Sequence, residues 1–115
     1  MKFQHQALSS TGWYSLSLME QMANIGSEVE RTILWRKKGN HAYSRMALER
    51  ALELIYLTIA DSKNKNRLKE LTRLRELLLD YFWEDNQFSS SDMFWHKYFY
   101  NFAYAVRAKP KTGQI

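Results

Sequence analysis

An all-α fold, four antiparallel helices running up-down-up-down, is predicted for this chain from three observations. Apolar residues recur at helical spacing through each long segment, with no alternating stretch. Only 4 Gly and 1 Pro punctuate the 115 residues, and short polar turns separate the periodic segments. A chain of this length fits one core, expected over residues 11–108, with a flexible N-terminal arm at 1–10 and a flexible C-terminal tail at 109–115. The 45% apolar and 15% aromatic content exceeds what a solvated, unfolded chain carries.

The first helix is expected to start near Ser10 or Thr11, either of which can accept a bond from an early amide. Its apolar face reads Met22, Gly26, Val29, Ile33, extended backwards by Leu16 and Trp13. Gly26 costs about 1 kcal/mol of helix propensity relative to Ala, so its place in the seam points to a close helix approach or to a kink. The helix stops at Arg36-Lys37-Lys38-Gly39, where cations suit the negative end of the dipole and glycine accepts a left-handed cap. Asn40 then caps a second helix, His41 to Ala60, with Ala47, Ala51, Leu54, Ile55 and Thr58 inward and Arg45, Glu49 and Glu53 outward. A polar turn, Asp61 to Asn66, leads to a third helix from Arg67 to Trp83. Leu68, Leu71, Leu74, Leu78, and Tyr81 or Phe82 form its buried stripe, while Lys69, Arg73, Glu76 and Asp80 face outward. Ser90 or Ser91 caps the fourth helix, Asp92 to Ala108, and Pro110 ends the ordered part.

Several chemistries are excluded. There is no cysteine, hence no disulfide and no thiolate metal site. The first ten residues lack the apolar run of a signal peptide, and Phe3 to Met19 holds too much Gln, Ser, Thr and Gly for a membrane span. A cytoplasmic protein without membrane contact is expected. His5, His41 and His96 are isolated, so no metal and no cofactor are expected, and no catalytic residue is assigned. One spacing carries chemistry. Arg36 and His41 form R-x4-H, the pattern of the ribonuclease site in HEPN-type helical toxins, where Arg steadies a phosphate while His moves a proton at the 2′-hydroxyl. In that family a polar residue follows the Arg and the motif lies late in the chain. Here Lys37 follows, and Gly39-Asn40 places a helix break inside the spacing. A cationic helix terminus followed by a surface histidine is the better account of the pair.

The fourth helix is overloaded. Phe94, Trp95, Tyr98, Phe99, Tyr100, Phe102 and Tyr104 put seven aromatics in eleven residues. Trp95, Phe99, Phe102 and Val106 already fill the single stripe a bundle helix buries. Phe94, Tyr98, Tyr100 and Tyr104 remain as candidates for a second buried face in a homo-oligomer.

The net charge is +5, and its distribution is more informative than its size. In an up-down bundle the turn between helices 2 and 3 and the end of helix 4 share one pole. Lys63, Lys65, Arg67, Lys69, Arg107 and Lys109 gather there, joined by Lys111 and opposed by Asp61 and Glu70. Lys65, Arg67 and Lys69 sit at the start of helix 3, where the dipole disfavours cations, so this pole is the candidate site for RNA or DNA.

The stretch from Arg36-Lys37-Lys38-Gly39 through Ala47-Leu48-Glu49-Arg50-Ala51-Leu52-Glu53-Leu54 to the Leu-rich third helix resembles the small basic four-helix bundle of retroelement accessory variability proteins and of proteins encoded in ribosomal RNA intervening sequences. The resemblance covers two-thirds of the chain and implies a cyclic oligomer that binds RNA or DNA without enzymatic activity. The aromatic fourth helix is not matched in that family. The expected function is therefore a non-enzymatic, self-associating helical protein with a basic pole for nucleic acid or another polyanion. The alternatives are a protein–protein interaction module built on the aromatic helix, and a HEPN-like ribonuclease.

Overall fold

A computed structural model describes residues 10–108, of which 85% are helical, with no strand among the described residues. Of the expected arm and tail only Ser10 is among them. The elements are α1 (Ser10–Tyr14), α2 (Leu18–Lys37), α3 (His41–Ala60), a 3-10 segment (Ser62–Arg67), α4 (Leu68–Trp83) and α5 (Asp92–Ala108). No helix among the described residues is long and apolar enough to cross a membrane.

Local chemistry sets the helix ends. The expected first helix is two helices, because the chain turns at Tyr14–Ser17. Ser15 donates both its N–H and its hydroxyl to the Gly12 carbonyl, and Ser17 is extended. Ser17 and Glu20 form a capping box: the Glu20 amide donates to Ser17 Oγ at 3.1 Å, and the Ser17 amide to Glu20 Oε1 at 2.9 Å. Lys38 ends α2, Gly39 takes φ +78°, and Asn40 Oδ1 accepts from the Tyr43 amide, so α3 starts where the cap residue predicts. Ser91 is the cap of α5, its hydroxyl accepting from the Phe94 amide at 3.0 Å.

The bundle runs up-down-up-down. α2 lies between α3 and α5, and α4 closes against α3. At one pole, Arg36 near the end of α2 reaches Tyr81 on α4 (3.0 Å) and Asp92 on α5 (2.8 Å). The core joins Met22, Ile25, Val29 and Ile33 of α2 to Leu54 and Ile55 of α3, Leu71, Leu74 and Leu78 of α4, and Trp95 and Phe99 of α5. Gly26 serves close approach. α2 is unbroken across it, and a Cβ there would lie 2.8 Å from Phe99 Cβ.

The opposite pole is closed by a buried polar network. Trp13 Nε1 donates to Thr58 Oγ1 (3.0 Å), and the Gln21 amide donates to the Trp13 carbonyl (3.0 Å) and to Asp61 (2.9 Å). Asn64 donates to Gln21 Oε1 (2.9 Å) and to the Thr58 carbonyl (3.0 Å). The residues expected in a simple polar turn thus form a helical segment whose Asn64 is buried. Burial alone would raise the Asp61 pKa. Bonds from the Lys63 ammonium, the Gln21 amide and the Lys63 N–H outweigh it and hold the carboxyl below its ordinary value.

Three positions on the expected outward or inward stripes are reversed. Asp80, expected outward, is 3% exposed and accepts the amides of Gln87 (2.8 Å) and Phe88 (3.0 Å), fixing the loop before α5. Glu53 is 4% exposed. It shares a side of α3 with buried Leu57, because α3 is covered by α1, α2, α4 and the 3-10 segment and so buries a wider arc than one stripe. Leu68, expected inward, is exposed at the first residue of α4.

Candidate functional site

α5 divides its aromatics between inside and outside. Trp95 and Phe99 are buried, and Phe102 packs half-buried against them. Tyr98, expected on the outer face, belongs to this inner set, with its ring against Phe94, Trp95, Phe99 and Phe102. Phe94 is 43% exposed and leans on Trp95 and Tyr98. Tyr100 and Tyr104, one helical turn apart, are each 57% exposed and stack on one another at 6.2 Å between ring centroids. Of the four candidate interface residues, these two face solvent most fully.

Burial pushes the Tyr98 hydroxyl up to about 12, aided by the Glu70 carboxylate and opposed by Arg67. A raised folded-state pKa means that the neutral ring contributes stability that is complete below the unfolded value, about 10, and lost as pH rises through the folded one. A tyrosinate-absorbance titration should therefore show a late phase, coupled to unfolding, that shrinks in Tyr98→Phe. An unchanged late phase in that variant would mean that Tyr98 is not its source.

Beside the exposed tyrosines, α2 and α5 enclose a hollow of about 370 Å³. Its α2 wall is made of small residues, Ala23, Gly26 and Ser27, and Ala103 of α5 continues it. The ends are charged: Glu30 sits 2.7 Å from His96 Nδ1 at one, and Arg107 lines the other. The sequence pointed to α5 alone, whereas the hollow beside its exposed tyrosines is floored by α2. The signal available was small residues at Ala23, Gly26 and Ser27 along one side of a helix.

The structure brings only part of the basic pole together as open charge. Lys63 Nζ is bonded to Asp61 and to the Tyr14 carbonyl (3.0 Å), so it belongs to the polar network. Arg67 grips Glu70 through Nε (2.9 Å) and Nη2 (2.7 Å). Arg107 lines the α2 side of α5, whereas Tyr98 packs toward α4, so Arg107 does not extend the α4 surface. Lys109 and Lys111 lie outside the described residues. Lys65 and Lys69 are exposed and form no ion pair with a described residue. Arg73, four residues beyond Lys69, is likewise exposed and lies over the Phe88 ring at 4.6 Å.

Arg36 and His41 do line one hollow, of about 350 Å³, with Arg45, Ser44, Phe82 and Trp83. The helix break that argued against the pair is a tight turn, and it folds the two side chains to the same side. Arg36 is nonetheless committed. Its guanidinium bonds Asp92 and Tyr81 and stacks on Tyr81 (4.7 Å) and Phe82 (4.8 Å). The Tyr81 hydroxyl donates to Asp92 at 2.6 Å; burial and this carboxylate raise its pKa against the opposing effect of Arg36.

In comparisons with protein families, characterised proteins and solved structures, nothing matches this chain.

Proposed function

We infer that the protein is a non-enzymatic, self-associating helical bundle that holds RNA, DNA or a comparable polyanion against the outer face of α4. The observation that carries the binding reading is the cationic stripe Lys65, Lys69 and Arg73. It repeats every four residues, faces solvent, and is not neutralised by any described carboxylate. Lys69 and Arg73, one turn apart on α4, lie about 6 Å apart along its axis, and Lys65 precedes them on the 3-10 segment, so each can meet a different phosphate. A stripe of three cations positions a phosphate backbone without reading sequence, so the contact is with backbone. Self-association is supported by Tyr100 and Tyr104, large rings left in water beside a hollow of small residues.

The ribonuclease reading needs an Arg36 able to swing onto a phosphate. Its guanidinium is instead held by a carboxylate, a phenol and two ring faces, which favours a role in joining α2, α4 and α5.

Fluorescence anisotropy with a labelled single-stranded RNA and a duplex DNA, across a salt series, tests the proposal. Three neutralised phosphates on duplex DNA give a log-affinity slope of about −2.7 against log salt, smaller than the six-cation pole would give: of that pole Lys63 and Arg67 are paired with carboxylates, Arg107 lines the α2 side of α5, and Lys65 and Lys69 are joined here by Arg73. Changing Lys65, Lys69 and Arg73 together to Glu should remove binding and leave sedimentation and helicity unchanged. Absence of binding by the native protein at low salt would end the polyanion reading and leave the protein-interaction module in front. Retained binding by the triple variant would remove this face from consideration.

A further inference from the structure

We propose that the cleft between α4 and α5 seats one pyrimidine base of a single-stranded nucleic acid whose phosphates lie along Lys65, Lys69 and Arg73. The proposal rests on the polyanion reading above and deepens it, from any phosphate backbone to a strand with an unpaired base. Three observations carry it.

The first is that stripe and cleft share a residue. Arg73 belongs to the cationic stripe and also lines a hollow of about 160 Å³, with Glu70 and Leu77 on the same α4 wall. Phe94, Trp95 and Tyr98 form the α5 wall. A backbone held by the stripe therefore passes the mouth of an aromatic cleft. Glu70, the one carboxylate lining it, is paired with Arg67 at 2.7 Å, so its charge is already matched. The second is open ring surface. Phe94 is 43% exposed although it leans on Trp95, and its ring lies within 22° of parallel to that of Tyr98. A flat base seated against Phe94 extends that stack and takes apolar surface out of water. Aromatic rings beside a cationic track hold single strands without regard to sequence, since every base has a π-face. The third is size. An enclosed apolar cavity of about 150 Å³ admits a benzene ring, and this cleft, of similar volume, matches one six-membered ring. A purine is larger by a fused ring. A duplex keeps its bases in the stack, and bringing one out costs free energy that a single strand is spared.

Fluorescence anisotropy with single strands of equal length tests the seat, because an abasic strand keeps every phosphate and removes every base. Oligo(dT) or oligo(U) should bind about tenfold more tightly than the abasic strand, within the range for one stacked base, and the tighter of the two identifies the sugar. Oligo(dA) should bind more weakly than oligo(dT). Phe94→Ala should lower oligo(dT) affinity about tenfold, to that of the abasic strand, while Phe94→Trp should retain it. The salt slope, about −2.1 for three phosphates of a single strand, should be the same in both variants, since the cations are untouched. Circular dichroism of both should match the parent, and if Phe94→Ala loses helicity, the comparison of strands on the native protein decides alone. A native protein that binds abasic and pyrimidine strands equally overturns the base seat and leaves the backbone reading standing. A folded Phe94→Ala with unchanged affinity does the same. Oligo(dA) as tight as oligo(dT) overturns the single-ring fit. No strand bound at low salt overturns both readings.

Discussion

Gly26→Leu is expected to destabilise the fold by about 3 kcal/mol, at the upper end of overpacking costs, and to loosen α5 from α2. Even the first carbon of a side chain there would sit 2.8 Å from Phe99 Cβ and 2.9 Å from its Cγ and Cδ1. These atoms lie at the root of the Phe99 side chain, so rotation of the ring gives little relief and the helix itself must move. Two effects compete in Gly26→Ala. Overpacking costs about 1–3 kcal/mol, while the gain in helix propensity returns about 1 kcal/mol. The alanine variant is therefore expected to lose only a little stability, and the leucine variant much more. Urea denaturation followed by tryptophan fluorescence reads both, since Trp95 on α5 is fully buried in the same seam. Phe99→Ala placed in the Gly26→Leu background should recover part of the loss, the signature of a coupled pair. A leucine variant as stable as the parent would show that α2 and α5 do not approach this closely in solution.

Trp13→Ala is expected to cost about 3–5 kcal/mol, the range for removing a buried aromatic. That is a large share of the roughly 5–15 kcal/mol that holds a domain together. α1 has five residues, far below the roughly 12–15 at which an isolated helix becomes even marginal in water. It is held by the burial of Trp13, 0% exposed, and by the bonds that its indole and carbonyl make to Thr58 and Gln21. Without the indole, α1 should separate, and the amides of the polar network nearest to it should lose protection from hydrogen exchange. Trp13→Phe keeps most of the area but gives up one buried hydrogen bond, worth about 1 kcal/mol. Trp95→Phe should be milder, because the Trp95 indole N–H has no acceptor among the described residues. Equal losses from the two phenylalanine variants would show that the Thr58 bond contributes nothing. A Trp13→Ala loss below about 1.5 kcal/mol, half the usual minimum, would mean that α1 is not anchored by this ring.

Most of the fold was legible because its signals act within a few residues. Asn40 and Gly39 mark the α2–α3 turn by cap chemistry alone, and α3 and α5 occupy the expected spans, His41–Ala60 and Asp92–Ala108. The seam residues Val29, Ile33, Leu54, Leu74 and Leu78 are buried as their spacing requires. The break at Tyr14–Ser17 was also local, a Ser-x-x-Glu box that the helical spacing of apolar residues continuing from Trp13 to Ile33 overshadowed.

Tertiary structure decided what no helical wheel contains. A wheel assigns a residue to a face, but the number of neighbours covering that face is set by packing. Glu53 and Asp80 are buried for that reason, although both carry charge at positions that read as outward. Charge at the basic pole was likewise countable in the sequence, but its availability was not: Lys63 and Arg67 have carboxylate partners, while Lys65 and Lys69 have none among the described residues. Gly26 left two readings open until Phe99, 73 positions away along the chain, was seen against it. The α2–α5 hollow has the same origin. Its walls come from opposite ends of the chain, so its shape and its two charged rims exist only after α5 folds back along α2.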